Sequence, residues 1–242
     1  MDNSVKQRLL GLSADFYHFH ADSFEETRQN AWDSWQRIVT ETQQLNAPRD
    51  LLDLGCGNGR FATFLRKNGH AAISYTGIDS EAQLIHKARQ VHPDERFYVD
   101  NIESALRSEI KFDFVVCVGV LHHVPDHHDR SDMLARFLHV LRPGGVAAVS
   151  LWQPKLLKNF DTKICISHDI SGLERNDFLL GWKGDFSHLR YCHHFDDDEI
   201  EQLAAQSRLE LVEQFQGTGN DQSNRYLLLQ NASGRGRGRE HQ

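Results

Sequence analysis

The sequence predicts an α/β fold built on a doubly wound, mostly parallel sheet. Three observations predict it: short apolar runs alternate with helical segments, a glycine cluster follows the first run, and a short polar loop joins the last two runs. Alternating strands and helices are typical of a parallel sheet, whereas a short loop between two strands favours an antiparallel hairpin. A chain of 242 residues can bury its own core without a disulfide or a structural metal.

The N-terminal elements precede and surround the glycine cluster. Apolar residues at helical spacing predict two helices within residues 4–46, and Pro48 ends this segment. The predicted strands that follow are 50–54, 74–78, 97–99, 112–118 and 146–151. Between them, Ser80 is expected to cap one helix, and a second helix over 133–141 is expected to stop at the Arg142-Pro143-Gly144-Gly145 segment.

The C-terminal part departs from this alternation. Residues 152–190 form a long insertion with few predicted elements. Asp196 then predicts a helix start, with Glu199 at the capping-box position. Strands are predicted at 210–216 and 226–230, and the polar loop between them favours a hairpin.

Composition excludes several classes of protein. The net charge of −7 argues against broad electrostatic binding to nucleic acid, DNA included, because binding to a phosphate backbone depends on basic side chains; it does not exclude a local basic groove. Residues 151–230 alone carry 8 basic and 13 acidic side chains. The four cysteines form no CxxC pair, which argues against a zinc knuckle and fits a reducing cytoplasm. No apolar run is long enough to span a membrane, and the polar N-terminus is unlike a signal peptide.

The glycine cluster is the first candidate binding site. Gly55, Gly57 and Gly59 follow the first strand, where a glycine turn lets a ligand approach the backbone at a helix N-terminus. A dinucleotide fingerprint would have glycine where Arg60 stands, so pyrophosphate binding is disfavoured. Asp53 beside the turn suits a ligand that carries an ammonium group. The alternative is an ordinary strand-to-helix turn.

Two further carboxylates end the next strands. Asp79 lies 20 residues after Gly59 at the end of the second strand, where a carboxylate can accept both hydroxyls of a ribose. Asp100 ends the third strand, where a side chain can meet an adenine edge. Because parallel strands end at one edge of the sheet, these positions favour a nucleoside-containing ligand.

Together these segments resemble the class I S-adenosylmethionine-dependent methyltransferases. The resemblance is carried, within residues 50–152, by Asp53-Leu-Gly55-Cys-Gly57-Asn-Gly59, Asp79, Asp100, Phe112-Asp-Phe-Val-Val116 and Leu141-Arg-Pro-Gly-Gly145. It implies a seven-stranded Rossmann-like sheet, S-adenosyl-L-methionine as the cofactor and no metal. It also implies a cofactor site made of Arg28, Asp53, Gly55, Gly57, Gly59, Asp79, Asp100, Asn101, Val118 and Gly119.

A narrower resemblance concerns the acceptor. The segments Asp22–Arg28 with Trp32 and Trp35, Val120–His123, Ser150–Gln153, Arg190–Phe195 and Asn224–Tyr226 resemble the tRNA wobble-uridine carboxymethyl methyltransferases. This resemblance implies a tRNA substrate and a small zinc-binding activator subunit. It places Arg190, Tyr191 and His194 at the acceptor.

The chemistry of methyl transfer assigns roles to these residues. A carboxylate is ionised at pH 7, so it needs no general base, only a cationic or hydrogen-bonding grip from Arg190, Tyr191 and His194. A hydroxyl or amine acceptor would need a base, for which His122 and His123 are nearest. The first hypothesis is methylation of a carboxylate on a modified tRNA wobble uridine. The alternatives are a small-molecule carboxylate or hydroxyl, and a catalytically idle cofactor-binding module acting through a partner.

The predicted domain organisation follows from both resemblances. We expect residues 1–230 to form a single domain, with 1–48 as a helical lid and 152–190 as an insertion on the substrate side. Residues 231–242 are predicted to be a disordered Arg-Gly tail.

Overall fold

A computed structural model describes residues 1–27, 30–45, 47–158, 160–165 and 170–233. Within these ranges the α-helices are α1 (Asn3–Glu26), α2 (Trp35–Leu45), α3 (Arg60–Lys67), α4 (Ala82–Val91), α5 (Ile102–Ala105), α6 (His127–Val140) and α7 (Asp197–Gln206). The strands are β1 (Asp50–Leu54), β2 (Ser74–Asp79), β3 (Arg96–Val99), β4 (Phe112–Cys117), β5 (Leu141–Trp152), β6 (Ile164–Cys165), β7 (Asp177–Trp182), β8 (Asp185–His193), β9 (Glu210–Gln216) and β10 (Asn224–Gln230).

The central sheet has the predicted architecture. Its seven strands run in the order β3-β2-β1-β4-β5-β10-β9. The first five are parallel, and β10 is antiparallel to both β5 and β9. The strand order reverses between β1 and β4, and ligands of doubly wound sheets bind at the carboxyl ends of the strands at such a point. The fold prediction is confirmed.

Both faces of the sheet are covered by helices. Along β1, Leu52 and Leu54 belong to the cluster that includes α6 and α7, whereas Leu51 packs with α2 and α3 on the other face. Successive side chains of a strand point to opposite faces, so a continuous apolar run is needed when both faces are buried. Burial of each leucine contributes about 1.5–3 kcal/mol. This rigid sheet fixes the loops at its carboxyl edge.

The boundary between α6 and β5 differs from the prediction. Helix α6 begins six residues earlier than expected, because Asp126 caps it by accepting a hydrogen bond from the backbone N–H of His128 at 2.9 Å. Strand β5 includes the Pro-Gly-Gly segment that was expected to follow the helix as a turn. That segment stays extended because Gly144 N donates to Asn231 O at 2.7 Å and Asn231 N donates to Gly145 O at 2.9 Å.

The two predicted helix caps had different outcomes. The expected cap at Ser80 is wrong: Glu81 caps α4, and its carboxylate accepts from Gln83 N at 3.2 Å. The longer glutamate side chain reaches the first turn from one position later. Asp196 caps α7 as predicted, accepting from Glu199 N at 3.0 Å.

Residues 152–190 contain a second, smaller sheet, so the prediction of few elements there is wrong. Strands β6, β7 and β8 form an antiparallel sheet, and α1 packs on β8. Leu9 is buried against Tyr191, and Ser13 Oγ accepts from Tyr191 N at 3.1 Å. Helix α2 instead packs on the central sheet through Trp35 and Ile38. The two helices of the predicted lid therefore cover different parts of the molecule.

Two further predictions concern the C-terminal tail and membrane-spanning segments. Residues 234–242 of the predicted Arg-Gly tail lie outside the described residues. Across the helices that the structure describes, none combines the length and the apolar character needed to cross a membrane.

Candidate active site

The glycine loop after β1 is shaped by left-handed backbone conformations. Gly55, Gly57 and Gly59 have φ values of 75°, 56° and 78°, which glycine adopts without steric cost. Gly55 N donates to Ile78 O at 2.8 Å, which ties the loop to β2. A Cβ atom on Gly55 would lie 2.3 Å from Val120 Cγ2, whereas one on Gly57 would meet nothing within 4 Å. The backbone at Gly57 is therefore open to a ligand.

The acidic residues predicted to bind a nucleoside lie together beside this loop. Asp79 Oδ2 accepts from Gly57 N and its Oδ1 accepts from Glu81 N, both at 2.9 Å. Burial raises the pKa of Asp79, against these backbone bonds, which lower it. Asp100 N donates to Asp79 O at 3.1 Å, and Asp100 Oδ1 accepts from Asn101 N at 2.8 Å. The carboxyl ends of β2 and β3 thus form one acidic edge.

Asp53 lies under the loop and is 4% exposed. The Tyr75 hydroxyl donates a hydrogen bond to its carboxylate. Burial raises the pKa of Asp53 to about 7, the Tyr75 bond opposes this, and the charge of Asp79 adds to it. A buried carboxylate with such a pKa is favoured in its charged form by a nearby cation. This environment suits an ammonium group.

Two of the remaining predicted cofactor residues, Val118 and Gly119, directly follow β4. Gly119 has a φ of 79°, and a Cβ there would lie 3.5 Å from the Trp32 ring. Val118, which precedes it, is half-buried. The Arg60 guanidinium lies 5.2 Å from the Trp32 ring centre, so an arginine and an indole flank this edge. Arg28 lies outside the described residues.

Arg190, one of the residues predicted to bind the acceptor, is buried among aromatic rings. It is 6% exposed, and its guanidinium carbon lies 4.9 Å from the ring centre of Phe16, 5.6 Å from that of Trp182 and 5.9 Å from that of Trp152. We call these three rings the aromatic cage. The ring faces stabilise a cation, but desolvation of a guanidinium is costly. An anionic ligand would offset that cost.

Two histidines lie against the same cage. The His122 ring is 4.9 Å from the Trp152 ring and 4.0 Å from the His123 ring. His123 Nδ1 lies 2.8 Å from Tyr191 O, and its Nε2 lies 2.7 Å from Tyr17 Oη. Because a carbonyl oxygen only accepts, Nδ1 carries the proton and Nε2 accepts from the tyrosine. This bond joins α1 to the loop after β4.

The structure separates Tyr191 and His194 from the Arg190 guanidinium. The Tyr191 hydroxyl is buried and donates to Asp177 Oδ1 at 2.6 Å, so its hydrogen is already committed. His194 is buried beside Lys155, whose backbone N–H donates to His194 Nδ1 at 3.4 Å. Burial, together with the positive charge of the Lys155 side chain, lowers the pKa of His194 to about 4. Adjacent residues of a strand point to opposite faces, which separates Tyr191 from Arg190, whereas His194 lies beyond the end of β8.

A buried ion network lies behind β8. Arg130 is fully buried, and its Nη2 donates to Glu174 at 2.5 Å and to Glu199 at 2.9 Å. His193 Nδ1 lies 2.7 Å from Asp177 and its Nε2 lies 2.6 Å from Glu199. Both ring nitrogens face carboxylates, so His193 is an imidazolium; these bonds raise its pKa although burial lowers it. The network fixes the strand that carries Arg190.

Removal of Arg130 is expected to destabilise the protein strongly. In Arg130→Met the carboxylates of Glu174 and Glu199 lose their shared cation, which costs about 3–5 kcal/mol for a buried pair. The free energy of unfolding, measured by urea denaturation, should fall by that amount. Arg136→Met on the same helix is the matched control and should change it by less than about 0.5 kcal/mol. A change below 1 kcal/mol in Arg130→Met would show that the network does not stabilise the fold.

Sequence reasoning identified Arg190 but missed most of the residues around it. Phe16 gave no signal beyond its apolar character, Trp182 lies in a Leu180–Lys183 segment that is similar to one of the wobble-uridine group, and Arg130 precedes the helix predicted over 133–141. Glu199 was identified only as a capping-box residue. The histidine doublet at 122–123 and the Arg190–Phe195 segment were the signals that pointed to this region.

The strand order, the glycine loop and the acidic edge define a methyltransferase fold. The chain belongs to the methyltransferase domain family, whose profile matches residues 24–214. The fold and the family thus define the protein as a methyltransferase domain, for which S-adenosylmethionine is the predicted cofactor.

Individual relatives differ in their acceptors. The chain is 29% identical over 138 residues to the tRNA (carboxymethyluridine(34)-5-O)-methyltransferase of Saccharomyces cerevisiae, covering 56% of this chain and 46% of that protein. It is 30% identical over 135 residues to the trans-aconitate 2-methyltransferase of Azoarcus sp., covering 50% of each. The chain thus spans about half the length of these curated relatives.

A solved structure shows the same fold over almost the whole chain. The 1,6-didemethyltoxoflavin-N1-methyltransferase of Burkholderia thailandensis superposes with a TM-score of 0.66 at 18% identity, covering 95% of this chain and 91% of that one. At this identity the likeness concerns the fold alone.

The residues at the glycine loop fit the cofactor. The open backbone at Gly57 leaves room for a ligand, Asp79 presents a carboxylate for ribose hydroxyls, and Asp53 offers a buried carboxylate for the ammonium of the methionine portion. These assignments remain predictions, as does the role of Arg28.

Cofactor affinity is expected to depend on pH through Asp53. Its pKa of about 7 means that the carboxyl gains a proton as pH falls through 7, and the neutral form loses its attraction for an ammonium. An α-ammonium has an ordinary pKa of about 7.7–8.0, so affinity should also fall at higher pH. Calorimetry across this range should give a bell-shaped profile. Asp53→Asn should lack the acidic limb, and an unchanged profile in that variant would contradict the assignment.

Proposed function

We propose that this methyltransferase acts on a carboxylate of a small molecule and that Arg190 binds this carboxylate. The observation that carries the proposal is the burial of Arg190 within the aromatic cage. A guanidinium offers paired N–H donors whose geometry matches a carboxylate. The surrounding rings exclude water, which strengthens this pairing.

The chain's residues then have a simple task. The cofactor, when bound, supplies an electrophilic methyl group on its sulfonium. A carboxylate is already ionised at pH 7, so no side chain must remove a proton. Arg190 binds and orients the anion, and α1 with the aromatic cage shields it from water. The remaining requirement is that the acceptor carboxylate is aligned with the methyl group. The buried ion network supports this alignment by fixing β8.

The relatives support the same acceptor chemistry. One acts on a carboxymethyluridine and another on trans-aconitate, and both compounds carry carboxylates. The charge distribution favours the small molecule. Arg225, which could have extended a basic groove, lies 3.1 Å from Asp197 and 2.9 Å from Gln216. The surrounding residues 151–230 carry five more acidic than basic side chains.

A second candidate is the carboxymethyl group of a tRNA wobble uridine. It is supported by the yeast relative and by the segments, including Val120–His123 and Arg190–Phe195, that resemble that group. In this case a small zinc-binding activator subunit is an expected partner.

A single assay separates these candidates. The protein is incubated with methyl-labelled cofactor and either a panel of small di- and tricarboxylic acids or bulk tRNA from cells that lack the protein, each with and without an activator subunit. A carboxylate ester releases labelled methanol in mild alkali, whereas methyl ethers and methylamines do not. Alkali-labile label in a small acid supports the proposal, and alkali-labile label in tRNA supports the second candidate. Label that withstands alkali contradicts both.

A further inference from the structure

We propose that His20, Asp185 and His188 form a binding site for a transition-metal dication such as Zn²⁺. Their ligand atoms all lie within 4.8 Å of one another. His20 belongs to α1, whereas the other two residues begin β8. The sequence predicts no metal here, because 165 positions separate His20 from Asp185.

The geometry is close to that of a zinc site. His20 Nε2 lies 4.0 Å from Asp185 Oδ2. Bonds of 2.0–2.1 Å in a tetrahedral site place ligand atoms about 3.4 Å apart, so side-chain rotation can close the set. His20 Nε2 is buried and has no hydrogen-bond partner among the described residues. A metal ion would give this buried ring nitrogen the polar partner that the described residues do not provide.

The other two ligands are oriented by one serine. Ser187 donates to Asp185 Oδ1 from its N at 2.8 Å and its Oγ at 2.7 Å, which leaves Oδ2 towards His20. Ser187 Oγ also lies 3.2 Å from His188 Nδ1, where its oxygen can accept the ring proton. Nε2 of His188 then carries no proton, so its lone pair is available to the metal. Such outer contacts are typical of metal-binding histidines and carboxylates.

The ring of His188 is held in place by stacking. The Phe19 ring lies parallel to it, at 4.0 Å between centres and 24° between planes. A fixed ring loses less entropy on binding a metal. Two histidines and one carboxylate leave a fourth position for water, as in open zinc sites.

Two other groups of metal-ligating side chains are weaker candidates. In the group of Glu174, Asp177 and His193, Glu174 already binds the Arg130 guanidinium, whose charge opposes a metal ion. In the second group, which comprises His122, His123 and Cys192, both nitrogens of His123 are already engaged. The proposed site has neither obstacle.

A metal ion bound at this site would link helix α1 to strand β8, which carries Arg190. Phe16 lies one turn before His20 on α1, and Arg190 lies two residues after His188 on β8. A metal between these elements would hold Phe16 against Arg190. This consequence rests on the proposed function, whereas metal binding itself does not.

The test is a Zn²⁺ titration of metal-stripped protein without a polyhistidine tag. Calorimetry should show one equivalent bound with a Kd below about 10 µM. His188→Ala and Asp185→Asn should each weaken binding more than about tenfold, and Ser187→Ala about tenfold. His18→Ala, which removes an exposed histidine from the same helix, should leave the Kd unchanged. Co²⁺ should give the intense visible absorption of a tetrahedral site, and this should vanish in His188→Ala.

Several outcomes would overturn the proposal. Absence of binding at that concentration, or an unchanged Kd in His188→Ala with intact circular dichroism, excludes the site. Loss of binding in Cys192→Ser instead assigns the metal to the other cluster. Methyl transfer is measured separately in metal-free protein, so a wrong acceptor would leave these binding results unaffected.

Discussion

Arg190→Ala is expected to lower kcat/KM for the acceptor by about 100- to 1000-fold while leaving the cofactor Kd unchanged. Loss of one partner from a buried charge pair costs about 2–5 kcal/mol, and each 1.4 kcal/mol corresponds to a factor of ten. Arg190 is buried among three aromatic rings, so water cannot replace it well. Steady-state kinetics with the acceptor from the transfer assay measures the effect.

Two further variants make this result interpretable. Arg190→Lys keeps the charge but loses the paired donors, so we expect an intermediate activity. Arg107→Ala removes an exposed arginine between α5 and β4 and should change kcat/KM less than about twofold. If Arg190→Ala were folded and as active as Arg107→Ala, Arg190 would not bind the acceptor.

Asp79→Ala is expected to weaken cofactor binding by about 100-fold. Hydrogen bonds to a charged group contribute about 1.5–3 kcal/mol each, and a ribose offers two hydroxyls. The carboxylate also accepts from Gly57 N, so the variant loosens the glycine loop as well. Calorimetric titration with S-adenosylmethionine measures the Kd. An unchanged Kd would show that Asp79 does not hold the ribose.

Glu81→Ala separates the ligand contact from a local folding effect. Glu81 caps α4, so its loss should lower the free energy of unfolding by about 1 kcal/mol. Cofactor affinity should stay within about twofold of the original value if the helix end matters only for stability. A large loss of affinity in Glu81→Ala would instead implicate the helix start.

Much of the cofactor half could be predicted because its signals are local. The glycine loop, Asp79 and Asp100 each lie where a strand ends, and parallel strands bring those ends to one edge. Strands β1 and β4 are mostly apolar because both faces of the sheet are buried. The boundaries of α6 and β5 differ from the prediction. The Asp126 cap decided the start of α6, and backbone hydrogen bonds to the distant Asn231 decided the extent of β5.

The sequence by itself determined the fold class, the family and the acidic edge at the carboxyl ends of β2 and β3, since these depend on periodicity and on the residues at strand ends. The resemblance singled out Arg190, but only the tertiary structure decided what surrounds its side chain. Phe16, Trp152 and Trp182 come from α1, β5 and β7 and surround Arg190 only after the second sheet has folded. Tyr191 turned away because adjacent strand residues alternate, and its hydroxyl met Asp177 in the interior. Contacts between residues so far apart in the chain are set by packing, which no local pattern encodes.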